Sequence, residues 1–131
     1  MHSIKTALVA ALLAAAPIMP ALAQEGDVEA GQRVFAQCRA CHTINEGGRN
    51  GVGPNLWNVY GRPAGQVPGF RYSSALQQAA QQGLVWNEEN LRRYLANPRD
   101  LIPGGSMAFA GIRNPEQLTN VIAYMRAQRP Q

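Results

Sequence analysis

Lysine is almost missing from this chain of 131 residues: of twelve basic side chains, eleven are Arg and one is Lys5. Cysteine and histidine are equally scarce, at two each, and charged residues make up only 15%. Each shortage excludes something. Two cysteines cannot build the set of bridges that holds a small disulfide scaffold together. The arginines are dispersed without a tract and the net charge is only +4, which does not support nucleic-acid binding. The lack of an internal repeat excludes a collagen or coiled-coil rod. With 46% hydrophobic residues against so little charge, a long disordered tail is not expected. The length leaves room for one domain.

The first residues differ from the rest. A short polar start containing Lys5 leads into an apolar run, Ala7 to Ala16, followed by Pro17, Pro20 and Ala21-Leu22-Ala23. This is the pattern of a secretory signal, with cleavage after Ala23. The alternative is an uncleaved membrane anchor over Ala7 to Ala23, but the run is short for a bilayer and two prolines interrupt it. Residues 1–23 are therefore expected to be a cleaved signal peptide and residues 24–131 the functional domain. That domain has no Lys, one His (His42) and two Met (Met107, Met125), and a net charge of +3 from eleven Arg and eight acids.

The pattern predicts an all-α fold. Helices are expected over Asp27 to about Gln37, Ser73 to Gln82, Asn87 to Asn97 and Asn114 to about Gln128. Asp27, Ser73, Asn87 and Asn114 are suited to cap their starts. Apolar faces run along Val28, Gly31, Val34 and Phe35 in the first, Leu91, Tyr94 and Leu95 in the third, and Leu118, Val121, Ile122 and Met125 in the last. Asn97-Pro98 stops the third helix, and Asn114-Pro115-Glu116-Gln117 reads as a cap, a first-turn proline and a capping-box Gln. No segment alternates as a strand. Thr43 to Tyr72 is instead rich in Gly and Pro, an irregular stretch too long for a compact domain unless it wraps something. Four modest helices are also a thin core. Both features ask for a large apolar ligand inside.

Cys38-Arg39-Ala40-Cys41-His42 supplies the candidate. Cys-x-x-Cys-His is the attachment signal for c-type haem. On a helical turn the two thiols face one edge of the macrocycle and can bond its vinyl groups, while His42 comes next in the chain to ligate iron. A redox dithiol normally follows a strand and opens a helix, whereas this pair follows a helix. Zinc wants four ligands, and residues 24–131 have no other Cys or His beyond this segment. For the opposite face of the iron the candidates are Met107, Met125 and a Tyr. Met125 lies on the apolar face of the last helix, which suits a core filler. Met107 sits in the flexible segment Pro103 to Phe109, which favours it as the ligand. His/Met ligation leaves no open position on iron and points to electron transfer and away from catalysis. The rival reading is a haem enzyme or gas sensor in which Met107 is off the iron.

From Gly26 to Met125 the chain resembles class I cytochrome c, the mitochondrial protein and the bacterial cytochromes c2. The matching pieces are Gly26 to Glu29, Cys38 to Thr43, Gly53-Pro54-Asn55-Leu56, Tyr60-Gly61-Arg62, Gly65 to Gly69, Trp86, Tyr94-Leu95 with Asn97-Pro98, Ile102-Pro103-Gly104 with Met107, and Ile122-Ala123-Tyr124. The resemblance implies that the Pro54 carbonyl accepts the free N–H of His42, and that Arg62, Tyr72 and Trp86 hydrogen-bond or neutralise a haem propionate. It implies that Tyr94 donates to the Met sulfur, and that Gly31, Phe35 and Tyr124 form the crossing of the first and last helices. Gly105 departs from the family, standing where a hydroxyl residue often helps hold a propionate, so that bond is either missing or made by Ser106 instead. The Tyr72 to Trp86 stretch is longer than in the mitochondrial form and points to the bacterial type. The family's ring of Lys is absent, with Arg39 and Arg99 its nearest equivalents.

The function so implied is that of a monomeric periplasmic carrier of one electron, holding one haem c through Cys38 and Cys41. Its expected partners are a cytochrome bc1 complex and a terminal oxidase or photosynthetic reaction centre, met by transient docking. No small-molecule substrate and no catalytic residue are expected.

Overall fold

A computed structural model describes residues 2, 3, 6–15 and 25–131. The predicted cleavage point after Ala23 lies outside the described residues. Within 6–15 no helix forms, and Leu8, Val9, Leu12 and Leu13 are exposed, so this apolar run adds nothing to the core.

The domain is all-α. Its helices are α1 (Val28–Phe35), α2 (Ser74–Gln81), α3 (Glu88–Ala96), α4 (Pro98–Leu101) and α5 (Pro115–Ala127), with a 3-10 turn over Ala36–Cys38. The starts are set by side chains, as expected. Asp27 accepts from the Ala30 amide at 2.9 Å, Ser73 from Leu76 at 3.1 Å and Asn87 from Asn90 at 2.9 Å. Asn114 accepts from both Glu116 and Gln117. Each such cap is worth on the order of 1 kcal/mol. Two details differ from the sequence reading. Proline 98 ends α3 but also opens α4, because a proline without an N–H suits the first helical position. Val28, placed on the apolar face of α1, is 43% exposed; Gly31 and Phe35 carry the burial.

α1 and α5 cross in direct contact. A Cβ at Gly31 would run into the Asn120 carbonyl and stand 2.8 Å from the Tyr124 Cβ, so only glycine fits there. The Phe35 and Tyr124 rings pack 5.3 Å apart just beyond. α3 lies against α4 and α5. Phe35, Leu91, Ile102, Val121 and Ile122 form the buried centre.

The stretch from Thr43 to Tyr72 stays irregular, as its glycines and prolines predict, and is pinned by hydrogen bonds. Asn55 Nδ2 donates to Thr43 Oγ1 (2.8 Å) and to the Asn45 carbonyl (3.0 Å). Asn50 accepts from the Asn55 amide (2.8 Å) and donates to the Pro68 carbonyl (3.1 Å). Farther on, Gly61 donates to Trp86, Trp86 to Arg62, and Ala64 to Leu84, all through the backbone. This short ladder, with an isolated bridge at Pro63 and Val85, holds the loop against the entrance to α3. A further tie centres on Glu88, which accepts from Tyr60 Oη at 3.0 Å, Arg92 at 3.1 Å and Arg126 at 3.2 Å. One carboxylate thereby joins the loop to α3 and α5.

Candidate functional site

The helices and the loop surround a cavity of about 230 Å³. Its wall is largely apolar, with Leu56, Val59, Leu91, Leu95, Ile112 and Val121 among its members. Cys38, Cys41 and His42 lie at one side because the turn that follows α1 continues: Cys41 and His42 both donate backbone N–H to the Cys38 carbonyl, at 3.1 and 3.0 Å. Both cysteines are free thiols. Burial pushes the Cys38 thiol above its ordinary value, against a smaller opposing pull from Arg39. A reactive dithiol needs the opposite shift. Among the described residues no group of three or more His, Cys, Asp and Glu side chains is placed to hold a metal ion by itself. The dithiol and zinc readings thus gain no support.

His42 is held in one orientation. Its Nδ1 lies 2.8 Å from the Pro54 carbonyl oxygen and donates to it, which leaves Nε2 as the ring's free lone pair. Burial pulls the imidazole below its ordinary value, an effect partly offset by the Pro54 bond, so the ring is neutral at physiological pH. Gly53 lies flat against that ring: a Cβ there would stand 2.6 Å from Nδ1. Gly53 also donates its N–H to the Cys41 carbonyl at 2.8 Å, locking the Gly-Pro step to the cysteine turn.

Of the other sequence-predicted residues, Gly31, Arg39, Arg99 and Tyr124 stand outside the cavity wall, while Pro54, Arg62, Tyr72, Trp86, Tyr94 and Met107 reach it. Met107 does so from the segment between α4 and α5, and Met125 from α5, where it is buried. Trp86 and Tyr94 stack with centroids 4.8 Å apart and a tilt of 36°. Burial pushes the Tyr94 phenol up. Arg62 donates to the Trp57 carbonyl at 3.0 Å, and Tyr72 Oη accepts from the Val67 amide at 3.0 Å. Gly105 and Ser106 both line the cavity, with Ser106 exposed. Arg39 and Arg99 fare differently from one another. Both are exposed, but Arg39 also donates to Tyr124 Oη at 3.2 Å and lies over the Phe35 ring at 5.4 Å.

Sequence reasoning missed the ties made by Asn50, Asn55 and Glu88. Asn50 and Asn55 offered one signal, side chains able to bond backbone in a stretch with no ladder of its own. Glu88 read only as an acid at a helix start, since its partners are distant in sequence.

An apolar cavity edged by two thiols on one turn, with an imidazole next to them held by the Pro54 carbonyl and a thioether loop on its wall, fits a flat apolar macrocycle carrying a metal. The cytochrome c family model matches residues 28–129. The chain belongs to the cytochrome c family, within its class I, cytochrome c2 type. It is 48% identical over 104 residues to cytochrome c2 of Afifella marina, covering 79% of this chain and 84% of that one. Among solved structures, cytochrome cH from Methylobacterium extorquens matches with a TM-score of 0.72 and 40% identity, covering 78% and 99% of the two chains. Cytochrome c2 from Rhodospirillum Centenum matches with a TM-score of 0.76 and 32% identity, covering 80% and 100%. Proteins of this type are electron carriers and not enzymes, and this chain is one of them.

Proposed function

We propose that residues 24–131 act in the periplasm as a monomeric carrier of single electrons, with one haem c bonded through Cys38 and Cys41 and ligated by His42 and Met107. When bound there, the haem would supply an iron able to pass between ferric and ferrous states. The observation that carries this reading is the His42–Pro54 bond beside the two free thiols: it fixes the tautomer that leaves Nε2 free for a metal. Met107 is the better second ligand because it lies on a loop, while Met125 sits on the buried face of α5. Arg62, Tyr72 and Trp86 offer donors for the haem carboxylates, whose unpaired burial would be costly. Tyr94 is suited to donate to the Met107 sulfur. Export by the 1–23 segment brings the chain to the compartment where such haem attachment takes place. The partners in this reading are a bc1-type donor and a terminal oxidase or photosynthetic reaction centre.

A haem-stained denaturing gel tests the covalent link, since thioether-bound haem survives denaturation. Ferric optical and magnetic resonance spectra test the ligands. The wild-type chain gives a low-spin His/Met signature, Met125→Leu keeps it, and Met107→Ala loses it. Loss in Met125→Leu with retention in Met107→Ala would reverse the assignment.

A further inference from the structure

Asn50-Gly51 is the sole Asn-Gly pair in the chain, and both residues are exposed. Asn-Gly is chemically unstable because glycine lacks a Cβ and lets its own amide nitrogen approach the preceding side chain. The Gly51 nitrogen attacks Asn50 Cγ, a C–N bond forms, its N–H proton passes to solvent base, and ammonia leaves. Water then opens the cyclic imide at either carbonyl and yields aspartate or isoaspartate. No electron is exchanged, and water is the only co-reactant.

What makes this pair unusual is what Asn50 holds. Its Nδ2 donates to the Pro68 carbonyl at 3.1 Å, and its Oδ1 accepts from the Asn55 amide at 2.8 Å. The first bond ties the loop near Pro68 to the segment after His42. The second fixes the residue that follows Pro54, whose carbonyl orients the His42 ring. The fold also restrains both reacting groups. The Asn50 amide is bonded at both ends, and the Gly51 N–H donates to the Gly53 carbonyl at 2.9 Å.

We propose that Asn50 is a deamidation site that the fold protects, so that it reacts when the 43–72 loop opens and the product leaves the loop unlatched. Aspartate keeps an acceptor for Asn55 but has no donor for Pro68, and sets two oxygens against each other. Isoaspartate reroutes the backbone through the former side chain, so the carbonyl that accepted from Asn55 becomes part of the main chain and is displaced from its place. Each product loosens the loop, and isoaspartate acts on the support of Pro54 as well.

The test compares the haem-bearing full protein at mildly alkaline pH with the same protein in guanidinium chloride, using peptide mapping that separates Asp from isoAsp. In denaturant, Asn50 converts several-fold faster than Asn45 or Asn58. In native buffer its conversion is roughly tenfold or more slower than in denaturant, as expected when reaction needs local opening. Backbone hydrogen exchange over 61–72 is faster in the Asn50→Asp variant and in the isoAsp fraction purified from native protein by ion exchange. Equal native and denatured rates would overturn the protection. An Asn50 rate in denaturant no higher than that of Asn45 would overturn the site, and unchanged exchange in both modified forms would overturn the latch.

Discussion

Gly31 of α1 and Tyr124 of α5 meet without room for a methyl group between them: a Cβ on Gly31 would stand 2.8 Å from that of Tyr124 and would also strike the Asn120 carbonyl. The backbones therefore have to separate if any side chain is added. Gly31→Ala is expected to destabilise the protein by about 1–3 kcal/mol, the usual range for overpacking, although alanine is the better helix former. Guanidinium unfolding followed by far-ultraviolet circular dichroism measures it. A neutral or stabilising Gly31→Ala would mean that the crossing is looser than described.

Glu88 bonds Tyr60, Arg92 and Arg126 together, and its side chain is only 25% exposed. Glu88→Gln keeps the shape but removes the charge that both arginines face. The expected loss is about 1–2 kcal/mol, discounted for partial solvent screening, with the haem absorption spectrum unchanged. The neighbouring Glu89→Gln, exposed and outside this cluster, serves as the reference. Equal losses for the two variants would show that the cluster adds nothing.

Tyr72 carries a pH dependence. Burial raises its phenol above the ordinary value, against smaller opposing effects of the Val67 N–H and Arg62. The folded chain thus holds this proton more tightly than the unfolded chain. Its contribution to stability is complete below the ordinary tyrosine value of about 10 and declines as pH rises through that value toward the folded one. Urea unfolding at a series of pH values from about 9 to 11 reads the slope. Tyr72→Phe should flatten it, leaving the part that belongs to Tyr94, which burial also raises. An unchanged slope would remove Tyr72 as a contributor.

Arg99 and Arg39 separate docking from folding. Arg99 is exposed, so Arg99→Glu is expected to slow electron transfer to an acidic-surfaced partner at low salt, with the difference fading at high salt and the melting temperature unchanged. Arg39 also holds Tyr124 and covers Phe35, so Arg39→Glu should lower the melting temperature as well. Stopped-flow rates at two ionic strengths, together with thermal melts, distinguish the two variants.

Much of the fold was legible in the sequence because its signals are local. Asp27, Ser73, Asn87 and Asn114 each mark a helix start by bonding an amide two or three residues away, and the apolar spacing of α3 and α5 marks their buried faces. The cysteine turn was legible for the same reason, since Cys38, Cys41 and His42 lie within five residues. What stayed hidden depends on partners distant in the chain. Nothing near Glu88 names Tyr60 or Arg126, and nothing near Arg39 names Tyr124. The second start at Pro98 was hidden by the rule that the residue before proline leaves the helix, which says nothing of what the proline begins. Val28 failed for a related reason: it follows the helical spacing, but α5 meets the chain on either side of it, at Asp27 and Gly31, and leaves Val28 exposed.

The crossing of α1 with α5 also orders events in time. The helix that α1 packs against, α5, follows α2, α3 and α4 in sequence, so all of these are made before α1 can dock on it. Closing so long a loop is entropically slow, and contacts of this range delay folding. Until α5 docks, α1 and the cysteine turn that follows it lack the helix they pack against.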